Sequence, residues 1–238
     1  MKILYKFTSR SRPEKFFKVL DNIAINSRID NYHILITLDT DDTTMNNDDI
    51  RERIARYPNT YPIYGESKSK IDAINRDMVF APDDWDILIN LSDDMLFIEQ
   101  GFDEIIVKDM QEAFPDMDGF LHYNDGNQRD NVSTMSIMTK KYYDRFGYIY
   151  HPDYVSVECD VEATEVAHIL GRHKYMGDDK VIFRHFHPAW GLAERDAQYN
   201  KWEAPHYYQN DGVVLLKRRT NWYAITPEQR VNQYYYNR

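Results

Sequence analysis

Ile87-Leu88-Ile89-Asn90-Leu91-Ser92-Asp93-Asp94-Met95 carries the strongest buried-strand signal in the chain, because an apolar run ends abruptly at two adjacent carboxylates. In open α/β sheets, ligands bind at the carboxyl ends of the strands. Adjacent carboxylates repel each other, and a divalent cation that prefers oxygen ligands relieves this repulsion and leaves positions free for phosphates. The segment therefore predicts a metal-binding strand end, and the alternative is a solvated turn before a helix.

Outward from this segment, short apolar runs alternate with amphipathic stretches, which is the pattern of an α/β fold with a mostly parallel sheet. Pro13 suits the first turn of the first helix, and Gly171 follows the end of a later one. Beyond Asn124 the alternation becomes irregular. We expect strands at residues 2–8, 32–38, 61–64, 85–91, 119–123, 134–139 and 181–187. We expect helices after Pro13, around Ile50, after Gly65, and at residues 101–114, 140–146 and 161–170.

The composition excludes several classes of protein. Among 238 residues there are 29 Lys plus Arg and 39 Asp plus Glu, and the resulting net charge of −10 disfavours nonspecific nucleic-acid binding. The single cysteine, Cys159, excludes an intrachain disulfide and a cysteine-based metal cluster and fits a reducing compartment. We find neither a signal peptide nor an apolar window long enough to span a membrane, so we expect a cytoplasmic protein without a transmembrane segment.

Four further clusters are candidates for chemistry. Asp39 and Asp41 follow the second predicted strand, where such residues commonly cap a turn. They also match the Asp-x-Asp-x-Thr pattern of haloacid-dehalogenase-type phosphatases, with Asp39 as nucleophile and Asp41 as acid/base. Lys70 lies near a helix start after Gly65, where a phosphate could meet backbone N–H groups and a lysine. Taken alone, these residues are better explained by a solvated, charged helix face.

The other two clusters lie in the second half of the chain. His185 and His187 share one face of the last predicted strand, where either could ligate a metal or simply occupy the rim of a sheet. Glu158 and Asp160 precede a helix, where carboxylates are favoured by the helix dipole and where one of them could serve as a general base.

The order of these features along the chain resembles GT-A glycosyltransferases, close to the family 2 type, over residues 2–191. The matching segments of the first half are Thr8-Ser9-Arg10-Ser11-Arg12-Pro13, then Asp39 with Asp41, and then one segment that contains Gly65, Ser67, Lys70, Ala73 and Asn75. They are followed by Ser92-Asp93-Asp94, by Asp160, and by His185-Phe186-His187-Pro188. The Asp-x-Asp metal motif of this fold lacks its first carboxylate here. The Glu-x-Asp of residues 158–160 stands where the family commonly has a Glu-Asp pair.

This resemblance implies a GT-A, Rossmann-like fold in a single domain at residues 1–192, with a nucleotide-binding half at 1–95 and an acceptor half at 96–192. It also implies a metal-dependent, hexosyltransferase-type enzyme that uses a nucleotide-diphosphate sugar, with UDP as the nucleotide, and inverts the anomeric configuration. Asp94, His187 and His185 would hold Mn²⁺ or Mg²⁺, and Asp160, with Glu158 in reserve, would be the base. The donor would contact Thr8, Arg10, Arg12, Asp39, Asp41, Lys70, Asn75, Ser92 and Asp93.

Residues 193–238 have no counterpart in this resemblance. Their richness in Tyr and Trp predicts an ordered C-terminal extension that covers the acceptor side or joins subunits of a homo-oligomer. The sequence leaves the acceptor open. Two other functions remain open as well: a phosphatase that uses Asp39, and a non-catalytic sugar-binding module on the same fold.

Overall fold

The computed structural model describes residues 1–232 and contains a seven-stranded sheet in the order β3-β2-β1-β4-β7-β6-β8. Strands β1 to β4 run parallel to one another, β7 is antiparallel to both of its neighbours, and β6 and β8 are parallel. This confirms the predicted mixed, mostly parallel sheet. The strands are β1 (Ile3–Thr8), β2 (Tyr32–Asp39), β3 (Thr60–Gly65), β4 (Ile87–Leu91), β6 (Phe120–His122), β7 (Ile137–Thr139) and β8 (His173–Tyr175).

A separate two-stranded antiparallel sheet joins β5 (Met95–Phe97) to β9 (Phe183–His185). Neither β5 nor β8 is among the expected strands, because three residues are too few to show a period. The pairing of Met95 with His185 brings the end of the β4 segment beside a strand almost a hundred residues later.

Helices cover both faces of the large sheet. Side chains that alternate along each strand divide the core into two clusters, as the two-residue period of a strand requires. Phe7 and Ile89 belong to the cluster against α1 and α4, whereas Leu4 and Leu88 belong to the cluster against α3, α6 and α8. The helices are α1 (Pro13–Asn26), α2 (Asp48–Ile54), α3 (Lys70–Asn75), α4 (Phe102–Ala113), α5 (Lys140–Asp144), α6 (Cys159–Ile169), α7 (Ala197–Trp202) and α8 (Pro205–Thr220).

The face that carries Leu4 becomes polar toward the carboxyl edge of the sheet. Lys6 lies two residues after Leu4 on β1, and Asn90 lies two residues after Leu88 on β4, so each shares a face with that leucine. Thr37 is the polar residue at the corresponding end of β2. Thr37 and Asn90 line a cavity at this edge, and buried Lys6 donates a hydrogen bond to the Thr37 hydroxyl. This face of the sheet is therefore apolar toward the amino ends of the strands and polar at their carboxyl ends, where the cavity lies.

The described part of the C-terminal extension is folded onto the domain, although its sequence shows no sustained period. The carboxylate of Asp196 accepts hydrogen bonds from two backbone N–H groups at the start of α7. Arg218 of α8 pairs with buried Glu162 of α6 at 2.6 Å, and Arg219 pairs with buried Glu165. The expected order of Tyr234 to Tyr236 lies outside the described residues. Within residues 1–232, no helix combines the length and the apolar character needed to span a membrane.

Candidate active site at the carboxyl edge of the sheet

A cavity of about 520 Å³ opens at the carboxyl ends of β1, β2 and β4. Its walls come from both halves of the chain and from the extension. The structure brings every predicted site residue except Asn75 to this cavity: Thr8, Arg10, Arg12, Asp39, Asp41, Lys70, Ser92, Asp93, Asp94, Glu158, Asp160, His185 and His187. The sheet therefore gathers into one place residues that are far apart in the sequence.

Asn75 lies outside the lining of the cavity, although the resemblance expects it to contact the donor. Its side-chain N–H donates to the carbonyl of Tyr150 at 2.6 Å, and its oxygen accepts from the N–H groups of Ile149 at 2.9 Å and Tyr150 at 3.2 Å. This amide fixes the 149–150 loop, and Tyr150 in turn lines the cavity. In the structure, Asn75 thus acts on the wall of the site rather than within it.

The candidate metal-binding group of the site is a cluster of Asp94, His185 and His187. One ligand atom from each residue lies within 4.8 Å of the other two, and among residues 1–232 this is the one such group of three or more His, Cys, Asp or Glu side chains. The β5–β9 pairing produces it, because Met95 follows Asp94 directly and lies opposite His185. A carboxylate and two imidazoles form a donor set that divalent transition metals and Zn²⁺ accept readily.

Asp94 has one oxygen engaged and one without a partner. Its Oδ2 accepts a hydrogen bond from the Tyr199 hydroxyl at 2.7 Å and lies 3.3 Å from Nε2 of His185, whereas buried Oδ1 has no hydrogen-bond partner. Burial would raise the pKa of Asp94, but the interactions with His185, Ser92 and Tyr199 outweigh it and hold the pKa well below its usual range. The side chain is therefore an ionised carboxylate with an unused oxygen, as a metal ligand requires.

The two histidines have different surroundings. The carboxylates of Asp125 and Asp94 flank His185 and raise its pKa to about 9, against the lowering effect of burial. His187 lies with Nε2 2.7 Å from Oε1 of Glu203, and its Nδ1 accepts from the N–H of Ala189 at 3.2 Å. Both imidazoles thus have acidic neighbours. Because Nδ1 of His187 accepts a hydrogen bond, its Nε2 carries the hydrogen that faces Glu203, so His187 could bind a cation only after one of these contacts is broken.

Asp93 is held by its own set of partners. Ser9 Oγ donates to Oδ2 at 2.8 Å, and Arg12 donates to Oδ1 at 2.7 Å. Burial raises the pKa of Asp93 and Asp94 adds to the rise, while Arg12 opposes it. Arg12 also pairs with Asp196 at 2.6 Å, so this network connects the strand end to the extension.

On the side of β2, Arg10 connects the two carboxylates of the second acidic cluster. Its guanidinium donates to Asp39 Oδ2 at 2.7 Å and to both oxygens of Asp41, at 2.6 and 2.8 Å. The other oxygen of Asp39 accepts from Ser67 Oγ at 2.5 Å. The Gly65-x-Ser67 segment is therefore coupled directly to the acidic loop, as expected if both contact one ligand.

Glu158 and Asp160 lie at the start of α6 and line the cavity from the second half of the chain. Burial raises the pKa of Asp160, and the nearby Lys70 ammonium partly opposes the rise. Burial and the charge of Asp160 also raise the pKa of Glu158, whose φ of 63° is in the left-handed region that few non-glycine residues adopt. Lys70 has no ion-pair or hydrogen-bond partner within 1–232, so its charge is available to a ligand.

Several residues of the site were missed by the sequence reasoning. From the extension, Tyr199 contacts Asp94 and Glu203 contacts His187. Asp196 contacts Arg12, and Asp125 lies 3.5 Å from His185. The aromatic richness of the extension indicated that Tyr199 packs on the domain, but not that it contacts Asp94, and it gave no signal for Glu203. Asp125 lies in a loop that the sequence marks only as polar.

Neither a protein-family model nor a curated protein matches this sequence. Solved structures do match in shape. A mannosyltransferase from Pyrobaculum calidifontis in complex with GDP-Man and Mn²⁺ has a TM-score of 0.60 at 12% identity, over 96% of this chain and 76% of that one. TarS from S. aureus in complex with UDP-GlcNAc has a TM-score of 0.62 at 12% identity, over 91% of this chain and 66% of that one.

A third match is a variant of Drosophila β1,4-galactosyltransferase 7 in complex with manganese, UDP-Gal and xylobiose, with a TM-score of 0.51 at 15% identity, over 84% of this chain and 78% of that one. All three are glycosyltransferases with bound nucleotide sugars, and two of them contain manganese. At these identities the likeness concerns the fold. The chain has the GT-A fold that these glycosyltransferases share, as the order of its motifs predicts.

Proposed function

We propose that this protein is a metal-dependent, inverting glycosyltransferase that moves a hexosyl group from a nucleotide-diphosphate sugar, with UDP as the nucleotide, to an acceptor hydroxyl. One observation carries the proposal. A cluster of Asp94, His185 and His187 and a carboxylate of raised pKa, Asp160, line a single cavity at the carboxyl edge of a GT-A sheet. This arrangement offers a place for the leaving diphosphate and a place for proton removal.

The donor would lie along the edge from β2 to β4. Asp39, Asp41 and Arg10 form a rigid, charged rim that would bind the base or the ribose. Lys70, which forms no salt bridge with a described residue, would attract the diphosphate. Its ammonium also lies close enough to Asp160 to lower the pKa of that carboxylate.

The metal would be held by Asp94, His185 and His187. The fit rests on the buried, unpartnered Oδ1 of Asp94 and on the mixed oxygen and nitrogen donor set, which suits Mn²⁺ and admits Mg²⁺. When bound, the cation would neutralise negative charge on the departing diphosphate.

Asp160 would act as the general base. As the acceptor oxygen forms its bond to the anomeric carbon, the bond to the diphosphate breaks and the hydroxyl proton passes to the Asp160 carboxylate. Attack from the face opposite the leaving group inverts the configuration. Burial supports this role because it makes the Asp160 carboxylate more basic than an exposed one.

The two other functions fit less well. A phosphatase nucleophile needs a free carboxylate oxygen, but Arg10 and Ser67 engage both oxygens of Asp39. In addition, β2 is the second strand of the sheet, whereas the phosphatases place this motif on the first. A sugar-binding module without catalysis would explain the cavity, but it would not need a carboxylate of raised pKa beside a metal cluster.

The test is a panel of UDP-, GDP- and other nucleotide sugars, assayed for thermal stabilisation and for release of the nucleoside diphosphate with Mn²⁺, with Mg²⁺ and with EDTA. We expect one donor to stabilise the protein and to be hydrolysed slowly, and both effects to require the metal. Binding without turnover for every donor and acceptor would favour the sugar-binding module. Phosphate release that is lost in Asp39→Asn would favour the phosphatase.

A further inference from the structure

The imidazole of His185 lies between two buried carboxylates. Its Nε2 is 3.3 Å from Asp94 Oδ2, and its Nδ1 is 3.5 Å from Asp125 Oδ2. The distance to Asp125 is an ion-pair distance, longer than a normal N–H···O hydrogen bond, and buried Nδ1 has no hydrogen-bond partner among residues 1–232, so Asp125 is the acceptor that faces it. The backbone N–H of His185 also donates to the Asp125 carbonyl at 3.3 Å, so this loop is docked on β9 at two points.

The orientation of the Asp125 carboxylate is fixed by its other contacts. Oδ1 accepts from the backbone N–H groups of Asn127 at 2.8 Å and Gln128 at 2.7 Å. Oδ2 accepts from the Thr134 hydroxyl at 3.0 Å and faces His185. The side chain is 1% exposed, so water cannot replace these partners. Asp125 therefore presents one defined oxygen to Nδ1.

We propose that Asp125 is the positioning residue that holds His185 as the Nδ1–H tautomer, so that Nε2 keeps its lone pair for the cation beside Asp94. The proposal rests on the metal site of the proposed function. A cation shared by Asp94 and His185 needs an Nε2 without a hydrogen, and the hydrogen must then sit on Nδ1. An ionised carboxylate can accept a hydrogen bond but cannot donate one. Asp125 therefore stabilises the tautomer in which Nδ1 carries the hydrogen.

The substitution Asp125→Asn tests this directly. The asparagine side chain has the shape of aspartate, but one of its two acceptor oxygens is replaced by an NH₂ group, which is a donor. The N–H groups of Asn127 and Gln128 require the oxygen of the new amide, so its NH₂ group must face His185. An NH₂ group donates, which forces Nδ1 to accept and moves the imidazole hydrogen to Nε2. The lone pair needed by the cation is then lost.

The substitution Asp125→Ala separates positioning from stability. It leaves the N–H groups of Asn127 and Gln128 without their acceptor, so it should destabilise the fold more than Asp125→Asn does. It also leaves His185 free to adopt either tautomer. We therefore expect the alanine variant to be less stable than the asparagine variant and yet to bind metal better.

The experiment measures Mn²⁺ affinity by electron paramagnetic resonance, with thermal unfolding in parallel. The His185 tautomer is measured by ¹⁵N NMR of the metal-free protein at a pH above the pKa of about 9 of this imidazole, where the ring is neutral. We expect Asp125→Asn to weaken Mn²⁺ binding by about 10- to 100-fold and to show an Nε2–H imidazole, with a smaller loss of affinity in Asp125→Ala. Asp109→Asn is the matched control, because it alters a buried carboxylate, bonded to Tyr123 and Lys180, that does not line the cavity.

Two results would overturn the proposal: an unchanged tautomer in Asp125→Asn, or metal affinities that simply follow thermal stability, with the alanine variant weakest. Failure of the proposed function would look different. The wild-type protein would then bind no Mn²⁺, and no nucleotide sugar would be turned over, while the change of tautomer in Asp125→Asn would still be seen.

Discussion

Asp211 provides a test of how the C-terminal extension supports the site. This carboxylate on α8 is 1% exposed and accepts hydrogen bonds from three successive backbone N–H groups. The donors are Val155 at 3.1 Å, Ser156 at 2.8 Å and Val157 at 2.9 Å. These residues immediately precede Glu158 in the sequence, so we expect Asp211 to hold the loop that leads to the proposed base.

The cost of Asp211→Ala follows from the burial of these donors. A buried N–H group without an acceptor costs about 1–3 kcal/mol, which applies fully to buried Ser156 and in part to the half-buried valines. We therefore expect a loss of ~3–5 kcal/mol in the free energy of unfolding, which a domain of ordinary stability survives. Loosening of the loop should also lower kcat by about 10- to 100-fold, since small misplacements of a catalytic group are costly.

The assay is urea unfolding, followed by steady-state kinetics with the donor identified in the panel. The KM for the donor should change little, because Asp211 contacts residues 155–157 and not the Asp39, Asp41 and Arg10 side chains that are proposed to bind the donor. Asn210→Ala, at an exposed position of the same helix, is the control and should be nearly neutral. A loss below about 0.5 kcal/mol in Asp211→Ala, typical of a surface substitution, would refute the reasoning.

Two further predictions concern the cavity itself. Asp160→Asn should lower kcat by about 10²- to 10⁴-fold with nearly unchanged donor binding, whereas full activity there and an inactive Glu158→Gln would identify Glu158 as the base. Burial raises the pKa of Asp160, and a base works only when it is deprotonated. As the pH is lowered, kcat should therefore begin to fall at a higher pH than it would with an exposed aspartate as the base. A kcat that stays constant through the acidic range would contradict this. Asp39→Ala should raise the KM for the donor more than it lowers kcat, as measured by initial rates, and a covalent aspartyl-phosphate at Asp39 would contradict the assignment.

The parts of the site that could be predicted are those that follow from the geometry of the sheet. Asp94 could be predicted because a buried strand ends beside it, and parallel strands bring their carboxyl ends to one edge. His185 belongs to the same prediction, since its strand also ends in polar residues. In the structure, Asp94, His185 and His187 lie together, and their binding of a metal stays a prediction.

The parts that could not be predicted depend on contacts without a local pattern. Tyr199 lies in a six-residue helix that is too short to show a hydrophobic period, so its bond to Asp94 leaves no trace in the sequence. Asp125 is one of many acidic residues in polar loops, and only folding places it beside His185. Asn75 matches the motif of the family, but its amide is used by the 149–150 backbone, which the motif cannot reveal.

The central claim is that this cavity binds a nucleoside diphosphate through a cation held by Asp94, His185 and His187. Calorimetric titration of UDP, with and without Mn²⁺, tests it most directly. Three proteins are needed: the wild type, Asp94→Asn, and Asp86→Asn, which alters an exposed carboxylate at the opposite end of the same strand. We predict Mn²⁺-dependent binding of UDP by the wild type and by Asp86→Asn, and its loss in Asp94→Asn. Equal binding by all three proteins, or binding that Mn²⁺ does not affect, would contradict the claim.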